Sequence, residues 1–188
     1  MSSAPWSRDR NRIGAAMLLL GDRVAAAGAE ATGLRGGAPA ALVSLLGWAD
    51  GHHLDALAGG LGLSHSRTVR IVDGLERDGL VERVADTVDG RRALVVLTDE
   101  GRRRAEAAVA ARSVVLDDVL AVLDDDQRRA VAAAAERVLL DQAVDRRTAR
   151  HICRLCDVVA CGHRDGDCPA TRGADRREAL PPTEGESR

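Results

Sequence analysis

A mostly helical chain with one two-stranded β-hairpin near its middle is predicted by three observations. The apolar share of the 188 residues is almost wholly Ala, Leu and Val, with no Phe or Tyr and only Trp6 and Trp48 as aromatics. Small aliphatic side chains suit closely packed helices better than the two faces of a β-sandwich. These residues recur at helical spacing over most of the chain. That periodicity is broken by two short apolar runs rich in Val, Leu80–Val84 and Ala93–Leu97, with an Asp/Gly/Arg tip between them.

The elements follow in order. Met1–Arg12 reads as a polar lead-in, and Ile13–Ala29 as an Ala/Leu-rich helix ended by the loop Gly33–Gly37. Pro39 suits the first turn of a short helix continuing over Ala40–Ala49. Gly51-His52-His53 interrupts the chain as a polar loop, the other reading of its histidines being half of a metal site. Leu54, Leu57, Ala58 and Leu61 mark a third helix, closed by Gly62. Ser64 is a good N-cap for a helix from about Ser66 to Asp78. From Asp99 two long helices follow, Asp99–Leu120 and Asp124–Asp145, each opening with the acidic residues that a helix dipole favours. They carry too many apolar positions for solvated arms, and a second copy of the chain is their most economical cover. Residues 170–188, charged and containing Pro181-Pro182, read as a disordered tail. The chain thus divides into a domain over 1–148, a cysteine-rich knuckle over 149–169 and that tail, with a reading unit at about 54–98.

The reading unit has the chemistry of a helix-turn-helix followed by a β-wing. A helix entering the major groove keeps short polar and Arg side chains outward and is held behind a tight turn. Leu54–Leu61, then Gly62-Leu63-Ser64, then the capped helix meet that need, and Ser64, His65, Ser66, Arg67, Thr68 and Arg70 are the candidates to reach bases or phosphates. At the hairpin tip, Asp89-Gly90-Arg91-Arg92 combines turn residues with projecting cations, and a tip arginine fits a narrow minor groove. Asp89 would brace a neighbouring arginine and hold the tip in shape, and Asp89, Arg91 and Arg92 are the DNA-binding candidates of the wing.

Bulk charge does not announce a nucleic-acid partner. The formal charge is −2, and Leu61–Arg104 holds nine Arg against eight Asp plus Glu. Affinity must therefore rest on a few placed arginines. No apolar run reaches the roughly 18 residues of a membrane span, and Ala15–Leu20 is too short for a signal peptide, so a cytoplasmic protein without membrane contact is expected.

The central run resembles the MarR family of winged helix-turn-helix regulators. The family's step of leucine, acidic residue, then Gly-Leu-Val-x-Arg stands here as Leu75-Glu76-Arg77-Asp78-Gly79-Leu80-Val81-Glu82-Arg83. Its Asp-x-Arg wing matches Asp89-Gly90-Arg91, and its Leu-Thr-x-x-Gly step matches Leu97-Thr98-Asp99-Glu100-Gly101. The resemblance covers about Ile13 to Asp145. It implies a homodimer that places two recognition helices in successive major grooves of a near-palindromic operator, most simply as a repressor, under control of an effector the sequence does not name. The family's small-ligand pockets often pair polar groups with aromatics, which this chain almost lacks.

The second informative stretch is Cys153-x2-Cys156-x4-Cys161-x6-Cys168, four cysteines within sixteen positions of a chain otherwise free of them. In a reducing compartment such crowding points to metal or redox chemistry before structural disulfides. A Cys-x-x-Cys turn offers two thiolates to one ion, and two more from a short loop complete a tetrahedron, which suits zinc. An iron–sulfur cluster is the alternative. A metal-free thiol switch activated by Arg150, Arg154 and Arg164 is a third reading. His151 or His163 could replace one of the cysteines as a ligand.

Two further function classes stand beside the regulator. A thiol–disulfide redox protein would use Cys153 and Cys156, but that chemistry needs the pair beside a βαβ element. A helical interaction adaptor would leave the Asp89–Arg92 tip without a purpose. No nucleophile–base arrangement or phosphate-binding glycine loop suggests an enzyme.

Overall fold

The computed structural model describes residues 5–47 and 51–179. Trp48, the end of the expected Ala40–Ala49 helix, and the terminal residues 1–4 and 180–188 lie outside them. The order is α1 (Pro5–Thr32), α2 (Ala38–Leu46), β1 (His52–His53), α3 (Leu54–Leu61), α4 (His65–Arg77), β2 (Val81–Ala85), β3 (Ala93–Leu97), α5 (Asp99–Leu120), α6 (Asp125–Gln142), α7 (Arg146–Ile152) and α8 (Pro169–Glu178).

Local signals account for most boundaries. The Ser64, Thr98, Asp124 and Asp145 side chains cap α4, α5, α6 and α7 by accepting a backbone N–H of the first turn. Each cap satisfies a donor that the helix cannot pair internally. At α6 the cap is reciprocal, because Gln127 also accepts the Asp124 N–H. Gly62 ends α3 in the left-handed conformation, turning the chain into α4 within three residues.

The main core is formed by α2, α3, α4 and the sheet, around Leu42, Leu57, Val72, Leu75, Leu80, Val81 and Val95. Outside it, α1 lies along α5, tied by Arg23 to Asp118 at 2.6 Å and by Arg104 to the Thr32 carbonyl at 3.1 Å. The wing is joined to the start of α5 without slack. Thr98 N–H donates to the Leu80 carbonyl and its hydroxyl to the Gly79 carbonyl, and a Cβ on Gly101 would overlap the Leu80 carbonyl.

Three expectations are corrected. The sheet has three antiparallel strands in the order β1-β3-β2, because His52 and His53 pair with Val95 and Leu94. The histidines are thus a short strand, where a polar loop was expected. Residues 170–178 belong to α8, where a disordered tail was expected. Its Ala170, Gly173 and Ala174 are buried, and α8 packs on α6. The two helices approach so closely that a Cβ on Gly173 would overlap the Leu140 carbonyl. The knuckle also opens with a helix, since α7 packs on α3.

Candidate nucleic-acid interface and cysteine cluster

The capped helix α4 separates its two faces cleanly. Thr68, Val72 and Leu75 are buried, while Ser64, His65, Ser66, Arg67, Arg70, Asp73 and Arg77 are exposed. Thr68 is therefore removed from the candidate contacts. It is fully buried, and its hydroxyl donates to the Ser64 carbonyl at 3.1 Å, anchoring the first turn. His65 is held against α3 by a 2.8 Å contact of its Nδ1 with Asp55.

One residue the sequence reading passed over organises the far end of this helix. Arg83 on β2 reaches back to Asp73 at 2.6 Å and to Glu76. It neutralises two carboxylates on the exposed side of α4. Its place in the Gly-Leu-Val-x-Arg step was the available signal.

The wing pairs Val81 with Leu97 through to Ala85 with Ala93. Its tip is closed by Asp86 N–H to the Arg92 carbonyl at 3.0 Å and Arg92 N–H to the Asp89 carbonyl at 2.9 Å. Asp89 braces this turn through the Arg91 backbone N–H at 3.2 Å, where a side-chain pairing with arginine was expected. Asp86 does the same for Val88 at 2.8 Å and meets His53 Nε2 at 3.2 Å, which ties β1 to the base of the tip. The Val88 N–H, then the Asp89 N–H, His53 and Arg92, hold the Asp86 carboxyl below its usual range. Residues 87–93, including Arg91 and Arg92, are exposed. Behind the sheet, burial, Arg150 and His53 lower His52 to a pKa of about 4. His52 is therefore neutral at pH 7.

The four cysteines converge. Cys153 ends α7, Cys168 caps α8, and two turns containing left-handed Gly162 and Gly166 bring the chain back between them. Cys153 and Cys161 pack against the buried Cys168, and Cys156 follows one turn after Cys153. All four are free thiols, and Cys168 is 1% exposed. Among the described residues, no three His, Cys, Asp or Glu side chains are already disposed to hold a metal ion. Hydrogen bonding by Cys153, then by the Thr171 N–H and hydroxyl and by His163, draws Cys168 well below the ordinary thiol range. Cys153 is pushed up in return by its bonds to Cys156 and Cys168. Burial pushes Cys161 up to about 11, while the Cys153 bond and then Arg112 and Arg154 bring Cys156 down to about 7. Such groups exchange protons as a unit. His151 faces elsewhere, its Nδ1 lying 3.0 Å from the Gly60 carbonyl of α3, and His163 Nδ1 meets Thr171 Oγ1 at 3.1 Å.

A cavity of about 240 Å³ lies between α2, α3 and α7, and a more open groove of about 480 Å³ between α2, α5 and the cysteine loop. Neither has an aromatic among its described lining residues.

A capped, outward-facing helix behind a tight turn, followed by a cationic hairpin tip, defines the winged helix-turn-helix class. Residues 50–92 match the model of the MarR family. Among solved structures, the chain is 30% identical to CouR from Rhodococcus jostii RHA1, crystallised bound to p-coumaroyl-CoA, over 67% of this chain and 90% of that one, with a TM-score of 0.55. A MarR-family transcriptional regulator from Rhodococcus sp. RHA1 is 28% identical over 73% of this chain and 97% of its own, also at 0.55. MepR from S. aureus, in a DNA complex, shares the fold at 20% identity over 73% and 98% of the two chains, with a TM-score of 0.54. No protein with a curated description matches the sequence. The chain belongs to the MarR family, whose members are transcriptional regulators and not enzymes. Among the described residues no helix is long and apolar enough to cross a membrane.

Proposed function

We propose that this protein is a sequence-specific DNA-binding repressor that acts as a homodimer on a near-palindromic operator. The observation that carries this reading is the division of α4 into a buried face and an exposed one bearing Ser64, His65, Ser66, Arg67 and Arg70, followed by an exposed tip with Arg91 and Arg92. Arg67 and Arg70 supply forks for guanine or phosphate, and the tip arginines suit the adjoining minor groove.

Exposed apolar side chains support the dimer. Met17, Leu18 and Leu19 on α1 are 64%, 71% and 59% exposed, and α6 leaves Val131 and Val138 half exposed while burying no residue of its own. A monomer seldom leaves so much aliphatic surface in water. The C-terminal extension gives the dimer a means of control. With α7 on α3 and α8 on α6, it links the helix behind the recognition helix to one of these apolar helices, so its integrity would govern the half-site separation. CouR binds a coumaroyl thioester, but the aliphatic and arginine-lined cavities here favour a different effector chemistry.

The test is fluorescence anisotropy of the full-length protein on duplexes tiling its own upstream DNA, against an unrelated duplex, over a salt series. One upstream duplex is expected to be bound preferentially at moderate salt, by a species of twice the chain mass in light scattering. Equal affinity for all duplexes at every salt concentration would overturn specific recognition. A reporter gene behind that duplex distinguishes repression from activation.

A further inference from the structure

The C-terminal extension has to be held together by something other than an apolar core. Its buried cluster consists of Ala143, Ala149, Ala170, Ala174 and Cys168, with Ile152, Cys153 and Cys161 packed alongside. Alanine burial gains little per residue, and a unit this small ordinarily needs a disulfide or a metal. Its ion pairs do not fill the gap. Arg146 with Asp175 and Glu178, and Arg177 with Asp141, are all about half exposed, and such pairs contribute about 0–1 kcal/mol each.

The thiols are placed where a cross-link would act. Cys153 closes α7, Cys156 follows on a turn whose N–H meets the Cys153 carbonyl at 2.9 Å, and Cys168 opens α8. Asp157 fixes the next turn by accepting the Val159 and Ala160 N–H groups, which returns Cys161 to the cluster. Side chains from both helix ends and from the loop between them therefore pack together, Cys153 and Cys161 against the buried Cys168, with Cys156 one turn beyond Cys153.

We propose that Cys153, Cys156, Cys161 and Cys168 bind one zinc ion as a tetrathiolate, and that this ion clasps α7 to α8. Four sulfur donors without an open position make a structural site of the kind zinc favours. Binding displaces the thiol protons to solvent and leaves a tetrathiolate–zinc unit of net charge −2, adjoined by Arg112 and Arg154. His151 is engaged with α3 and the Nδ1 of His163 with the Thr171 hydroxyl, which leaves the four cysteines as the proposed ligand set. The clasp holds α7 where Arg147 and Arg150 pack over Gly59 and Gly60 of α3. It holds α8 where Gly173 meets α6. The site stands independently of the DNA-binding reading. Its effect on the operator complex deepens that reading and rests on it.

The experiment uses full-length protein purified anaerobically without added metal, with elemental analysis and an absorption spectrum. One zinc per chain and no visible bands are expected. Replacing zinc by Co²⁺ should give the intense visible absorption of tetrahedral thiolate coordination. Iron with sulfide bands, or four titratable thiols with no metal, would overturn the proposal. Removing zinc from the wild-type protein with a chelator should raise amide exchange at least tenfold across residues 146–179 while the buried amides of α4 stay protected. A Cys153→Ser/Cys168→Ser protein should retain no metal even if it folds poorly, and full zinc retention would overturn the assignment. Unchanged exchange on zinc removal would overturn the clasp, whatever the DNA result.

Discussion

The reading unit and the C-terminal extension are held together in different ways. Around α4 the core is made of large aliphatic side chains, Leu42, Leu57, Val72, Leu75, Leu80 and Val95, each at most 2% exposed. Burying such a side chain contributes roughly 1.5–3 kcal/mol. The extension buries four alanines and a cysteine instead, and its helices meet through glycines and exposed ion pairs. The first region therefore needs no partner atom to stay folded, whereas the second has so small a core that the proposed zinc site would be its main cross-link.

The largest expected effect tests the first half of that contrast. Leu75→Ala should cost about 2–5 kcal/mol in chemical denaturation followed by circular dichroism, because the cavity cannot collapse among so many packed neighbours. A cost below about 1 kcal/mol would mean that the core around α4 is not what holds the reading unit.

Acid should strain the same region through His52. Its pKa falls from 6.5 to about 4 on folding, so between these values the unfolded chain binds the proton that the folded one refuses. Stability from this group is complete above pH 6.5 and is lost as pH falls towards 4, amounting to about 3 kcal/mol. Denaturation midpoints of wild type and His52→Gln measured from pH 7 to pH 4 should diverge, with the variant the flatter. Parallel curves would reject the linkage.

Arg67→Ala should weaken the operator complex by about 1–3 kcal/mol while leaving the melting temperature unchanged. Arg91→Ala tests the wing in the same way. A melting temperature that fell together with affinity would make either arginine a folding residue. The smallest effect compares like with like. Ser64→Ala and Asp145→Ala each remove an N-cap, at about 1 kcal/mol apiece. Ser64→Ala should lower the global unfolding midpoint. Asp145→Ala should show only as faster amide exchange over residues 146–152.

The two regions were also unequally legible in the sequence. The capped recognition helix, the turn before it and the wing lay within one contiguous stretch, and each carries local chemistry that names its conformation. Ser64 caps, Gly62 turns, and two Val-rich runs flank an Asp/Gly/Arg tip as a hairpin needs. Thr68 was misplaced because its polarity outweighed its spacing, although it stands four residues before Val72 and seven before Leu75, on the buried face. β1 could not be seen locally, since two histidines have no periodicity and become a strand only by pairing with Leu94 and Val95. α8 was read as disordered because its burial uses small residues. The Ala170, Gly173, Ala174 spacing of three and one was its only mark among many charges. The spacing of the four cysteines points to metal or redox chemistry, but the packing of α7 on α3 and of α8 on α6 around them belongs to tertiary structure.

Gly101 has a consequence for how this protein tolerates variation. It lies buried in the first turn of a helix, where most residue types would be acceptable on propensity alone. Yet any side chain there would meet the carbonyl of Leu80. In a saturation library selected for operator binding, position 101 should admit glycine alone, while the tip position Gly90, with open space around it, accepts many replacements. A map of tolerated substitutions would therefore give as much weight to this seam between wing and helix as to the arginines proposed to face the groove.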